Sequence, residues 1–245
     1  MTNPDELSAY MIFSRSDWAA LRASTSLTLS EADLAALRGL NGPITTAEVS
    51  DVYLPLTRLL NLHFSAARNL MQVKAEFLGR PARRSPYIIA LAGSVGVGKS
   101  TFARVLCALL AGWADHPRVE LVTTDGFLHA NAVLEERGLM RRKGFPDSYD
   151  LPRMLRFLAA AKAGEGELEL PVYSHLIGDI VPSERQLIRL PDILVFEGLN
   201  VLLARGNAPV VVSDFFDFSI YLDADEADIQ SWYVERFLKL QPTAF

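Results

Sequence analysis

The apolar and polar positions of this chain follow two different periods, and the change comes near residue 82. Before it, apolar residues recur every three or four positions, the period of a helix with one buried face. Leu34, Leu37 and Leu40 form one such face; Val49, Val52, Tyr53, Leu56, Leu59, Leu60 and Phe64 form a second. Ser30 with Asp33 and Thr45 with Glu48 have the spacing of helix N-terminal caps. Pro55, inside the second run, predicts a kink or break, because proline lacks an N–H and its ring clashes with the preceding turn. Arg80, Pro81, Arg83, Arg84 and Pro86 make a polar link. Residues 1–82 are therefore expected to form a helical layer packed on a core at 83–245, not a separate domain.

Beyond Tyr87 the pattern becomes short apolar runs at 87–92, 119–124, 192–197 and 217–223, with helix-like stretches near 99–113, 151–163 and 225–240. Strands that are apolar through their centres and alternate with helices predict an α/β fold, a mostly parallel sheet covered by helices on both faces. Ligands of such sheets bind at the carboxyl ends of the strands. That rule singles out the polar residues directly after each run.

After the first run stand Gly93, Ser94, Val95, Gly96, Val97, Gly98, Lys99, Ser100 and Thr101, a GxxxxGKS phosphate loop between a strand and a helix. Its glycines let backbone N–H groups approach an anion, and the helix N-terminus adds a favourable dipole. Lys99 can reach the β- and γ-phosphates of a nucleoside triphosphate, and the Ser100 hydroxyl can serve Mg²⁺. The fold class is accordingly the P-loop NTPase type. After the second run comes Asp125, which can accept a proton from an attacking hydroxyl, help hold Mg²⁺, or simply cap a turn. After the third comes Glu197, either a metal or water ligand or one half of an ion pair. Tyr173 and His175, two positions apart, face the same way if their segment is extended. They form either a substrate wall or a structural pair. Tyr233 and Arg236 share a helical face, as transition-state and substrate contacts or as part of a solvated surface.

Composition narrows the classes. A chain of 245 residues, half of them apolar, can bury a full core. The net charge of −5 argues against a nucleic-acid partner, and the basic triplet Arg141, Arg142, Lys143 reads as a solvated loop. One cysteine, Cys107, permits no internal disulfide and reads as a small core residue. No signal peptide and no uncharged run of roughly 20 residues are seen, so the expectation is a soluble, cytoplasmic protein without a membrane partner.

Together these segments resemble the prokaryotic type I pantothenate kinase family. The resemblance runs from about Trp18 to Phe245 and rests on the phosphate loop, Thr123 to His129, Arg137 to Met140, Lys143 to Asp150, Pro171 to Ile177, Glu197 to Val201, and Trp232 with Tyr233 and Arg236 to Lys239. The phosphate loop alone would also admit uridine kinases and phosphoribulokinases; the Lys143 and Tyr173 blocks are more restrictive. The resemblance implies ATP- and Mg²⁺-dependent phosphorylation of the primary hydroxyl of pantothenate, the opening step of coenzyme A biosynthesis. By position it implies Lys99 on the phosphates, Ser100 on Mg²⁺, Asp125 as base, Tyr173, His175 and Tyr233 along pantothenate, and Arg236 near the transferred phosphate. It also implies feedback inhibition by coenzyme A at Lys99, Arg104 and His175, adenine near Asn41, and a homodimer meeting through the helix after the phosphate loop. Gly178 and Leu240 stand where the family typically has aromatic residues. The family continues past the position of Phe245 with further helices and a strand, including an Asn ligand for pantothenate. Low activity of these 245 residues alone is therefore expected, and a binding paralogue without turnover is the alternative.

Overall fold

The structure is a computed structural model that describes residues 10–37, 44–116, 118–203 and 209–240, with the side chains at 236, 237, 239 and 240 outside the description. The first elements among the described residues are short helices, α1 (Arg15–Ala20), α2 (Glu31–Leu37) and α3 (Thr46–Glu48). The Ser14 and Thr45 side chains accept from the backbone N–H groups of Asp17 and Glu48. Ser30 and Asp33 form a reciprocal box, Ser30 N donating to Asp33 Oδ2 at 2.8 Å and Asp33 N to Ser30 Oγ at 3.2 Å.

The expected break at Pro55 is corrected. A π-helical turn, Val49–Tyr53, joins α3 to the long α4 (Leu54–Leu78), and Pro55 sits in the first turn of α4. The wider turn before it makes room for the ring inside a continuous helical path. The path stays helical from Thr46 until Gly79 ends it in the left-handed conformation, φ 60°.

Among the described residues four parallel strands form the sheet: β1 (Tyr87–Gly93), β2 (Val119–Thr123), β5 (Ile193–Glu197) and β6 (Phe218–Leu222), in the order β2-β5-β1-β6. Between β2 and β5 in sequence, β3 (Glu167–Ser174) and β4 (Asp179–Arg189) make an antiparallel hairpin of their own. The apolar pattern did not announce this hairpin. Its solvent-facing glutamates and arginines, and Pro171 and Pro182 inside the two runs, interrupt any apolar run; the register shifts by a bulge at Pro171/Val172.

Alternation along β1 divides the core in two. Tyr87, Ile89 and Leu91 face α4 and α5 (Lys99–Ala111), meeting Leu60, Phe64, Phe102 and Leu106. Ile88, Ala90 and Ala92 face α7 (Leu151–Ala163) with Phe127, Phe157 and Phe196. These three rings pack at centroid distances of 5.6, 5.9 and 6.4 Å, adding edge and offset contacts to the area buried. The helix α6 (Asn131–Glu136) follows the turn after β2, and α8 (Glu226–Leu240) follows β6.

The helix α5, expected at a dimer contact, is largely covered in this chain. Ser100 and Ala111 are exposed, Arg104, Cys107 and Ala108 are half-buried, and the rest of the helix is buried. An apolar stripe, Leu62, Leu70, Val73 and Phe77, is instead exposed along α4. Cys107 packs beside the α5 core, where burial, helped by Glu120, pushes its thiol up to about 12. At pH 8 the thiolate is therefore scarcer than in an ordinary thiol. Reaction with a disulfide reagent is expected to be at least about 10-fold slower for the folded chain than for the urea-unfolded chain, measured by released chromophore.

Candidate active site

The parallel register aligns the strand ends that carry chemistry. Glu197 pairs with Leu91 on one side and with Thr123 on the other, and Gly93 pairs with Leu222. The phosphate loop, the turn after β2 and the turn after β5 therefore open onto one edge of the sheet. Gly93 is required there, because a Cβ would lie 2.6 Å from the Leu222 carbonyl oxygen. Gly98, at φ 94°, turns the loop into α5 and offers no side-chain cap to the first turn, so the helix N-terminus keeps its favourable dipole for an anion.

Lys99 is 8% exposed and its Nζ donates to the Ser94 carbonyl at 2.7 Å, so the ammonium lies across the loop. Ser100 Oγ donates to Glu197 Oε2 at 3.3 Å. Glu197 is 5% exposed. Burial pushes its carboxyl up, Lys99 opposes this, Asp125 adds to it, and Ser100 and Arg104 again oppose it. A buried carboxylate and a hydroxyl at this spacing supply the hard oxygen donors Mg²⁺ prefers, so the residues fit that ion. Arg104 Nε donates to the Leu37 carbonyl at 2.8 Å and Nη2 to Thr101 Oγ1 at 3.2 Å, tying the end of α2 to the loop helix.

On the other side, Asp125 sits in a single 3₁₀ turn, Thr124–Phe127. His175 Nε2 lies 3.5 Å from Asp125 Oδ2, and the Tyr173 and His175 rings meet edge-on at 5.2 Å. Burial, Asp125 and Asp179 all raise the Tyr173 phenol. The β3–β4 hairpin thus delivers both side chains to the acidic turn, a contact no local spacing specifies. Val95 is exposed at the loop's tip. Helix α8 passes over Gly96: a Cβ built there would be 3.8 Å from Tyr233 Cβ. The side chain of Arg236 and the whole of Asn41 lie outside the described residues.

One expectation is reversed. Lys143 is not a solvated member of a basic triplet but points inward, donating to Asn131 Oδ1 at 2.6 Å and to the Gly178 carbonyl. Its Nζ is 5.2 Å from the centre of the Tyr173 ring. Burial lowers its ammonium, opposed by Asp179 and then Asp125. Tyr149 and Asn131 also join this wall unanticipated. The segment from Lys143 to Asp150 stood out in the sequence as a block, but nothing in its spacing told which side chain turned inward. The arrangement can hold a polyphosphate on one side and a hydroxyl beside a carboxylate on the other.

Fold and site are those of a P-loop kinase, and residues 88–236 match the model of the phosphoribulokinase / uridine kinase family. A solved structure from Silicibacter sp. TM1040, described as a fructose transport system kinase, superposes with TM-score 0.57 at 28% identity over 72% of this chain and 85% of that one. YFH7 from Saccharomyces cerevisiae shares the fold at TM-score 0.52 and 14% identity, covering 75% and 88% of the two chains. Within this class the chain belongs to the pantothenate kinase family. It is 57% identical over 242 residues to the pantothenate kinase of Sorangium cellulosum, covering 98% of this chain and 79% of that protein. It is 59% identical to that of Myxococcus xanthus, covering 94% and 74% respectively.

Gly93→Ala is expected to cost about 1–3 kcal/mol in urea unfolding, since the new methyl meets backbone rather than a movable side chain. ADP affinity, measured by calorimetry, should fall with it.

Proposed function

We propose that this chain transfers the terminal phosphoryl group of ATP to the primary hydroxyl of pantothenate, giving 4′-phosphopantothenate and ADP in the cytoplasm. The observation that carries the reading is the placement of Asp125, flanked by His175, Tyr173 and Lys143, across from an intact phosphate loop in a chain of this family. Loop N–H groups and Lys99 hold the polyphosphate and offset its charge. Mg²⁺, held at Ser100 and Glu197 when bound, would neutralise charge developing on the phosphate oxygens. Asp125 accepts the hydroxyl proton while the alcohol oxygen bonds to the γ-phosphorus and the bond to the ADP oxygen breaks. Tyr173, His175 and Tyr233 line the acceptor, and Arg236, on α8, is assigned to the transferred group. Positioning and charge neutralisation supply most of the acceleration.

The same reading includes coenzyme A as an inhibitor. Its phosphates would seek the loop and Lys99, with Arg104 and His175 at the margins, so that it and ATP exclude one another. Asn41 is assigned to the adenine side. Two copies of the chain would meet through the exposed stripe of α4, where Leu62, Leu70, Val73 and Phe77 recur at the spacing of one helical face.

Pantothenate-dependent ADP formation is expected in a coupled assay. Lys99→Met and Asp125→Ala should each lower it on the order of 10²-fold or more, and coenzyme A should raise the apparent KM for ATP. Phosphorylation of uridine or a sugar but not pantothenate would overturn the acceptor. Sedimentation should give a dimer that Leu70→Glu with Phe77→Glu converts to monomer; an unchanged mass would remove α4 from the interface.

A further inference from the structure

The hairpin that carries Tyr173 and His175 is held differently along its length. Its inner half is fixed by burial: Leu170 and Ile188 are each 1% exposed, and Gln186 Nε2 donates to the Leu121 carbonyl of β2 at 2.8 Å. The bulge then interrupts the ladder, because Pro171 pairs with Arg185 but Val172 with Val181. Beyond it the outer half continues as Val172–Val181, Tyr173–Ile180 and Ser174–Asp179, and the tip exposes Leu176 and Ile177. A two-stranded ribbon this short is marginal by itself.

Polar contacts that hold the outer half converge on Asn131, the first residue of α6. Its backbone N–H donates to Asp179 Oδ1 at 3.0 Å, and the same oxygen accepts from the Ile180 N–H at 2.7 Å. Its side-chain Nδ2 donates to the Gly178 carbonyl at 3.3 Å, and its Oδ1 accepts from Lys143 Nζ at 2.6 Å. Lys143 donates in turn to the same Gly178 carbonyl and lies 5.2 Å from the centre of the Tyr173 ring. Three separate segments thus close on one amide. An ammonium only donates and a carbonyl only accepts, so the group between them must accept on one side and donate on the other. Aspartate would turn an acceptor toward the Gly178 carbonyl, and leucine would answer neither partner. The side chains steadied in this way face the acidic turn: the Tyr173 and His175 rings meet at 5.2 Å, and His175 Nε2 is 3.5 Å from Asp125 Oδ2.

We propose that Asn131 is a positioning residue that clasps Lys143 and the outer half of the hairpin together, holding Tyr173 and His175 at the acceptor side of Asp125. The inference rests on the kinase reading for what those two side chains bind. The clasp itself is a property of the fold. Asn131 acts through Lys143 and the hairpin, so its loss weakens the hold on the acceptor and leaves the phosphate loop as it was.

Asn131→Leu removes both side-chain hydrogen bonds at similar volume. Deuterium exchange followed by mass spectrometry should show the amides of 174–180 exchanging at least about 10-fold faster, with β1 and α5 unchanged. In turnover, KM for pantothenate should rise about 10-fold while KM for ATP stays within about twofold. Asn131→Ser, too short to reach both partners, should behave alike and replaces the leucine variant where that fails to fold. Combined with Lys143→Met, either substitution should raise KM for pantothenate by much less than the product of the two single effects, because the partners act as a unit. Unchanged exchange at 174–180 would overturn the proposal, as would equal rises in both KM values or effects that simply multiply. Absence of pantothenate-dependent ADP formation in the unsubstituted chain would instead count against the kinase reading, and the exchange measurement would still decide the clasp.

Discussion

Everything at the site depends on bringing concentrated negative charge to the end of a buried sheet without leaving it unpaired. A carboxylate as enclosed as Glu197 is costly unless cations and donors compensate it. Lys99 and Ser100 do so from the first turn of α5, and Arg104 does so one turn further on. These three sit on one helix because the phosphate loop delivers that helix to the strand end. Their opposition to Glu197 exists because β5 lies beside β1 in register, Leu91 against Glu197. The anion-binding loop and the carboxylate facing it are thus two parts of one electrostatic arrangement, and the strand order makes it possible.

The helical N-terminal layer serves the same end from beneath. Its Leu60 and Phe64 cover the face of β1 and α5 that would otherwise be exposed, and the Leu37 carbonyl accepts from Arg104. The opposite face of the sheet is sealed by the Phe127, Phe157 and Phe196 cluster, of which Phe127 closes the turn that bears Asp125 and Phe196 directly precedes Glu197. Core packing therefore reaches within one or two residues of both acidic positions. Rigidity at those positions follows from the packing density around them, and the small residues Gly126 and Gly198 allow the turns to approach closely enough to lock.

Much of this was legible along the chain. The four apolar runs each became a strand of the sheet within a residue or two of their expected ends, because strands buried on both faces announce themselves by unbroken apolarity. The capping pairs at Ser30 and Thr45 formed as their spacing required, being local hydrogen bonds between near neighbours. The hairpin of β3 and β4 escaped notice because its exposed face is charged and its prolines sit at a bulge. Pro55 misled in the other direction: the π turn ahead of it accommodates its ring within a continuous helical path, and no local spacing announced that turn.

The sequence by itself determined the phosphate loop, the parallel sheet and the identity of the residues at the strand ends, because each of these is set by chemistry within a few positions of itself. Only the tertiary structure decided that Lys143 turns inward beside Tyr173, that His175 reaches Asp125, and that Thr124 packs against Gly198. Those contacts join segments tens of residues apart, and their geometry is fixed by strand order and by the bulged hairpin. No local period or spacing carries that information, since it arises only when separate elements compete for the same space.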